Sequence, residues 1–184
     1  MQINTQEVTG QPVLAGSRLT LRPVQRSDKG LLELYAGDRR VAEMTTSILH
    51  PLPPGATDAF IDQSLSPTRR EDIWVMDGTN AGLGEVVGAI GLERMEDAPG
   101  RSEIGYWVAP AFWNTGLASE ALALLLEANP HKSSTIFGSV FQDNPISARV
   151  LTNAGFEYLG DAEAYAVSRA SNVPTWTYLR RMPT

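Results

Sequence analysis

Along R-L-T-L-R-P, polar Arg18, Thr20 and Arg22 alternate with apolar Leu19 and Leu21, the period of two that marks a half-buried strand. The period then lengthens. Leu31, Leu32, Leu34 and Tyr35 recur at helical spacing, behind Ser27 or Asp28 as a cap and ahead of Gly37 as a stop, and predict a short amphipathic helix. Pro51, Pro53 and Pro54 break the stretch from Met44 to Gly55 into a loop, after which Phe60, Ile61 and Leu65 restore helical spacing over Thr57–Leu65. Strand-like runs follow at Ile73–Met76, Val86–Leu92 and Ile104–Val108. The segments D-G-T-N-A-G-L-G and E-D-A-P-G between them carry turn chemistry, so an antiparallel meander is expected.

Leu117–Ala128 is apolar nearly all round, with Ala118, Ala121, Leu122 and Leu125 on one face, and Asn129-Pro130 ends it; a heavily buried helix is expected. Thr135–Phe141 is again strand-like. Strand, helix and strand in about 40 residues meet the requirement for a parallel crossover, which makes the sheet mixed. Asn144 is a good N-cap with Pro145 at the first helical position, and Gly155 stands where a left-handed residue ends a helix, so that Phe156 can fold back on Leu151. Tyr158–Val167 and Val173–Arg180 read as two final strands.

A chain of 184 residues fits one domain, large enough to bury roughly 70% of its unfolded surface. The expected division is a loose tail over residues 1–14 and a single domain over 15–184. Hydrophobic residues at 42% and charged residues at 20%, with no apolar run of membrane-spanning length, describe an ordinary globular protein. The first residues lack a basic start and apolar run, so a cytoplasmic location is expected. With no cysteine, thiolate nucleophiles and cysteine-ligated metals are excluded. His50 and His131 both read as surface loop residues, which leaves neither a metal site nor a Ser/His/Asp triad in view. A net charge of −6 disfavours nonspecific nucleic-acid binding and suits a cationic partner, although solubility alone accounts for it. Gly82, Gly84 and Gly88 have the look of a nucleotide-binding loop, but no helical pattern follows them and the lysine of a phosphate loop is missing.

The chemistry concentrates between Glu103 and Gly155. A helix entered from a strand through an Asn/Gly turn presents unpaired backbone N–H groups, so the segment from Asn114 to Ser119 is a candidate phosphate site. A plain strand-to-helix turn with no ligand is the alternative. Three linked segments, S-E-I-G-Y-W-V-A-P, F-W-N-T-G-L-A-S-E-A and N-P-I-S-A-R-V-L-T-N-A-G-F, resemble the GNAT acyl-CoA-dependent N-acyltransferases, and within them the Rim-type protein N-terminal acetyltransferases. The resemblance runs from R-L-T-L-R-P to the last strand. It implies an α/β (α+β) fold: a mixed, mostly antiparallel central sheet of about seven strands, with a parallel splayed pair and flanking helices.

The resemblance also implies roles. In the family the turn pattern Gln/Arg-x-x-Gly-x-Gly/Ala binds the coenzyme A pyrophosphate; Trp113, Gly116 and Ala118 take the defining positions here, and Asn114 replaces a frequent glycine. Asn114, Thr115, Gly116, Leu117, Ala118 and Ser119 are therefore expected to hold the cofactor, acetyl-CoA, with no metal. Tyr106, Trp107 and Val108 are expected to face the pantetheine where the parallel strands part. Glu103 is the candidate base, acting on the amine directly or through water; the alternative is a carboxylate paired with Arg101 or Arg94. Asn144 and Ser147 match the family's N-x-x-S pattern, with Asn144 near the coenzyme or the amine and Ser147 inheriting the acid role from the helix tyrosine that is absent here, unless solvent supplies the proton. In structural terms Asn144 is also a plain helix cap. The implied reaction is direct transfer of an acetyl group to a primary amine, on a protein N-terminus or a small molecule, by a monomer or homodimer. The rival is a noncatalytic acyl-CoA-binding or sensing domain of the same fold.

Overall fold

The computed structural model describes residues 9–184. Eight strands form one sheet in the order β1-β2-β3-β4-β5-β6-β8-β7. They are β1 (Leu14–Ala15), β2 (Thr20–Pro23), β3 (Glu71–Asp77), β4 (Gly88–Arg94), β5 (Arg101–Val108), β6 (Thr135–Phe141), β7 (Glu157–Ala166) and β8 (Ser171–Arg181). All neighbours pair antiparallel except β5 and β6. The mixed, mostly antiparallel sheet with one parallel pair is thus present, and the strand beyond seven is the two-residue β1.

Among the described residues, five helices pack on it: α1 (Lys29–Ala36), α2 (Arg39–Ala42), α3 (Ala56–Leu65), α4 (Leu117–Ala128) and α5 (Pro145–Asn153). Alternation along the strands assigns the faces. Trp74, Met76, Ile90, Leu92, Ile104 and Ile136 turn toward α4 and α5, where Leu117, Leu122, Leu125 and Leu151 complete the main core. Each fully buried leucine there contributes roughly 1.5–3 kcal/mol. Val75, Ile73 and Trp107 turn the other way, onto Leu32 of α1 and Ile61 of α3.

Of the expected tail, residues 1–8 lie outside the described residues. Residues 9–15 are tied down: Arg69 Nη2 donates to the Thr9 carbonyl at 2.6 Å, Gln11 Nε2 to the Ile73 carbonyl at 2.9 Å and Trp74 Nε1 to the Pro12 carbonyl at 2.9 Å. Asp28 precedes α1 but makes no side-chain cap, because its buried carboxylate is taken by Arg22 at 2.8 and 2.9 Å and by the Gln25 N–H at 2.8 Å. The end of α5 matches its signals. Gly155 has φ +86°, its N–H donates to the Thr152 carbonyl at 3.1 Å, and the Phe156 N–H reaches the Leu151 carbonyl at 3.1 Å, a complete Schellman closure.

His131 is not the surface residue expected. Its side chain is 2% exposed, with Nε2 2.7 Å from Asp72 Oδ2 and Nδ1 3.2 Å from Ser102 Oγ. Burial works against the Asp72 charge, but the His131 hydrogen bond and the nearby Arg69 and Arg94 outweigh it and hold the carboxyl below its usual range. This Asp–His–Ser order is no nucleophile: Ser102 is 1% exposed and its hydroxyl also bonds Ser133 Oγ at 2.7 Å. The chain ties β3 and β5 to the segment leading into β6.

Candidate active site

The site begins where β5 leaves β6. Their parallel ladder covers Arg101–Thr135 to Ile104–Gly138 and stops, while β5 continues against β4 alone as far as Val108–Gly88. The Ala109 N–H donates to the Val87 carbonyl at 2.8 Å. Antiparallel alternation then turns the Trp107 backbone toward β4 and the Tyr106 and Val108 backbones toward the β6 side. Trp107 stands apart from its neighbours in a second way: its ring packs on the α1 and α3 face. The Val108 carbonyl accepts from the Trp113 indole at 2.7 Å, which fastens the following turn back onto the strand end.

That turn enters α4 through Asn114 at φ +61° and Gly116 at φ +80°. Asn tolerates the left-handed region better than most residues, and glycine occupies it without a Cβ penalty. Gly116 is the N-cap and offers no side chain to the first-turn N–H groups of Leu117, Ala118 and Ser119. Such groups, at the positive end of a twelve-residue helix, suit an anion. Leu117 contributes backbone only, since its side chain is 1% exposed. Thr115 is engaged at both ends: its hydroxyl donates to the Phe112 carbonyl at 2.5 Å, and its carbonyl accepts from Arg18 Nη1 at 2.7 Å.

Two residues that the sequence reading passed over brace this helix entry. Glu120, in the first turn of α4, accepts from the N–H groups of Arg18 and Leu19 at 3.0 and 2.7 Å, from Ser17 Oγ at 2.9 Å and from Arg18 Nε at 3.1 Å. Burial pushes its pKa up, but these donors prevail and hold it below the usual carboxylate value. Arg18 and Glu120 are 102 residues apart in sequence, so nothing local signals the pair.

A small cavity lies where the strands part, lined by Ile104, Gly105 and Tyr106 of β5, Ser139 and Val140 of β6, and Asn144, Ser147 and Leu151 at the start of α5, with Met44 at its mouth. Asn144 Oδ1 caps the helix by accepting from the Ser147 N–H at 3.4 Å, and Asn144 Nδ2 donates to Ser147 Oγ at 3.0 Å. A serine oxygen that already accepts keeps its own proton available to a third group. Tyr106 also enters, its hydroxyl donating to the Ser147 carbonyl at 3.2 Å; burial drives its pKa up to about 12, so the phenol stays protonated. The sequence singled out Tyr106 for its backbone and gave no sign of this side-chain contact.

Glu103 stands on the opposite face of the sheet from Tyr106, within the paired part of β5. It borders a second hollow with Glu93, Arg94 and Arg70, and Gly105 alone lies between it and Trp107 on that face. The space over Gly105 is open, with no atom within 4 Å of where a Cβ would stand. The structure therefore brings Ser147, Asn144 and Tyr106 together, with Glu103 on the far side of the opening that Gly105 leaves. Among the described residues neither proposed arginine pairs with Glu103: Arg94 Nη1 lies 3.6 Å from Asp72, and Arg101 sits over the Phe137 ring at 6.0 Å. Crowding by protein and the adjacent Glu93 raise the Glu103 pKa. In register, Glu71, Glu93 and Glu103 run across β3, β4 and β5. The Glu71 carboxyl lies over Gly91, and although the residue as a whole is exposed, the desolvation of its carboxyl against the sheet, with Glu93 and Glu103 beyond, lifts it to about 7.

Comparison with known proteins gives the family and the fold. Residues 18–157 match the model of the GNAT acetyltransferase domain. The chain is 24% identical over 170 residues to an uncharacterized N-acetyltransferase, YoaA, of Bacillus subtilis, covering 91% of this chain and 95% of that one. It superposes on the ribosomal alpha-N-protein acetyltransferase RimL in complex with coenzyme A with a TM-score of 0.79, at 16% identity, over 93% of this chain and 98% of that one. The microcin C7 self-immunity acetyltransferase MccE, in complex with acetyl-CoA and AMP, gives a TM-score of 0.77 at 15% identity, over 91% and 94%. These structural likenesses establish the fold. They extend beyond the Rim-type proteins.

Proposed function

Since the chain belongs to the GNAT family of acetyltransferases, we propose that it transfers the acetyl group of acetyl-CoA directly to a primary amine, on a protein N-terminus or a small molecule. One observation carries this reading: the cavity opened between β5 and β6 holds Ser147 beside backbone groups of β5 that no β6 partner takes up. The α4 N-terminus from Asn114 to Ser119 would hold the pyrophosphate, and the Tyr106 and Val108 backbone the pantetheine. The family resemblance, more than any contact in this chain, assigns those moieties to those groups.

Acetyl-CoA is here a substrate. An amine arriving as an ammonium ion loses its proton to Glu103, directly or through water at the gap over Gly105. The neutral nitrogen attacks the thioester carbonyl, whose oxygen is polarised by a β5 N–H near Val108. The carbon–sulfur bond breaks as the amide forms, and Ser147, its oxygen already engaged by Asn144, passes a proton to the departing thiolate and regains one, through water, from the nitrogen, which sheds its second proton as it becomes an amide. No covalent intermediate on the protein is needed.

Thiol release from acetyl-CoA across a panel of polyamines, amino acids and peptides with free N-termini tests the activity. Turnover with at least one class is expected. Tight CoA binding with no turnover on any of them would overturn the transfer reading in favour of a binding domain.

A further inference from the structure

The turn between β7 and β8 bonds the two segments that supply Met44 and Asn144 to the lining of the Ser147 cavity. The Val167 N–H donates to the Thr46 carbonyl at 3.1 Å and Ser168 Oγ to the Ala42 carbonyl at 3.1 Å. Arg169 goes further. Its Nε and Nη2 donate to the Glu43 carbonyl at 3.0 and 2.6 Å, while Nη1 and Nη2 grip the Asp143 carboxylate at 2.5 and 3.2 Å. The guanidinium lies 4.8 Å from the centroid of the buried Phe141 ring. Both residues that Arg169 holds precede a wall of the cavity by one position: Glu43 precedes Met44, and Asp143 precedes Asn144, the residue that orients the Ser147 hydroxyl. The Arg169 bond also keeps Asp143 ionised to a lower pH than usual.

We propose that Arg169 is a positioning residue for acetyl transfer, a clamp that sets the distance between the Met44 wall and the Asn144–Ser147 wall. The proposal rests on reading that cavity as the thioester end of the site. A planar guanidinium spans a carbonyl and a carboxylate at once in fixed geometry, which a lysine ammonium does not. A wall displaced by about 1 Å costs a proton donor up to roughly a hundredfold in rate, although no bond to substrate is lost. The α4 turn that would carry the pyrophosphate takes no part in the clamp.

Steady-state thiol release from acetyl-CoA, with the amine the wild type uses best, should be compared for Arg169→Ala, Asp143→Asn, Ser147→Ala and the Arg169→Ala/Ser147→Ala pair. Arg169→Ala is expected to lower kcat roughly tenfold to a hundredfold and leave the KM for acetyl-CoA within about twofold, with Asp143→Asn following it. The double variant should fall no further than its poorer parent, because one residue acts through the other. Where the alanine variant does not fold, Arg169→Lys, which keeps the charge and loses the double grip, carries the same expectation. Unchanged kcat, a change in KM alone, or losses that multiply in the double variant would overturn the clamp. Ser147→Ala separates the two levels: if it leaves kcat intact, the cavity reading falls and the clamp with it, whereas impairment there beside unimpaired Arg169 variants removes the clamp alone.

Discussion

At the scale of single residues, the open space over Gly105 is the most direct handle on the acceptor. A side chain fits there without backbone strain, so Gly105→Leu should leave CoA affinity within about twofold while cutting kcat/KM for the amine at least tenfold, a difference of about 1.4 kcal/mol. Isothermal titration with CoA and amine-dependent kinetics measure the two sides. Glu103→Gln tests the base. With Glu103 present, kcat/KM should rise with pH through an apparent pKa above that of an ordinary glutamate, since crowding and Glu93 disfavour its charge; the variant should lose that limb of the profile. An unchanged profile assigns the proton to water. Residues whose task is local were legible in the sequence: Gly116 and Gly155 at positive φ, and Asn144 with Pro145 at a helix start, each follow from the chemistry of a few neighbours. His131, Tyr106 and Arg169 were not, because their partners lie 26 to 126 residues away and no local pattern encodes a distant acceptor.

Among elements, α4 and α5 sit where hydrophobic spacing and end signals put them, and β6 begins and ends as expected. Strands β3 and β5 run longer than the apolar runs that announced them, since their polar first residues pair as well as apolar ones once a neighbour is present. What the periodicity left out is how α4 is held to β2. Glu120→Ala removes the acceptor of the Arg18 and Leu19 N–H groups, and is expected to cost about 1–3 kcal/mol of stability and to loosen the α4 entry. The pH sign follows from its depressed pKa: the contribution is present above the ordinary value of 4.5 and is lost as pH falls through the lower folded value. Urea unfolding of wild type and variant at neutral and acid pH checks both. The two should converge in acid.

For the whole molecule, the row Glu71–Glu93–Glu103 makes stability depend on pH in the opposite sense. Glu71 is raised from 4.5 to about 7, so the folded state binds more protons than the unfolded chain between those values, and stability falls as pH rises across them. Because Glu71 is exposed and solvent screens its charge, Glu71→Gln should flatten that slope and raise Tm at pH 8 by only about a degree, read by thermal unfolding at pH 5 and pH 8. A Tm gain equal at both pH values would place the strain elsewhere. The fold as a whole was legible because its strand and helix order admits one parallel crossover; the carboxylate row was not, because it depends on registers among β3, β4 and β5 that alternation alone does not set. The parting of β5 from β6 has a mechanical side. Within the sheet, a ladder of four residue pairs joins a five-stranded slab, β1 to β5, to a three-stranded slab, β6, β8 and β7. A molecule that fills the gap and hydrogen-bonds its edges behaves as a splint between the slabs, so occupancy and stiffness become one variable: at a hundred times its Kd such a ligand adds about 2.7 kcal/mol to the stability of the whole chain.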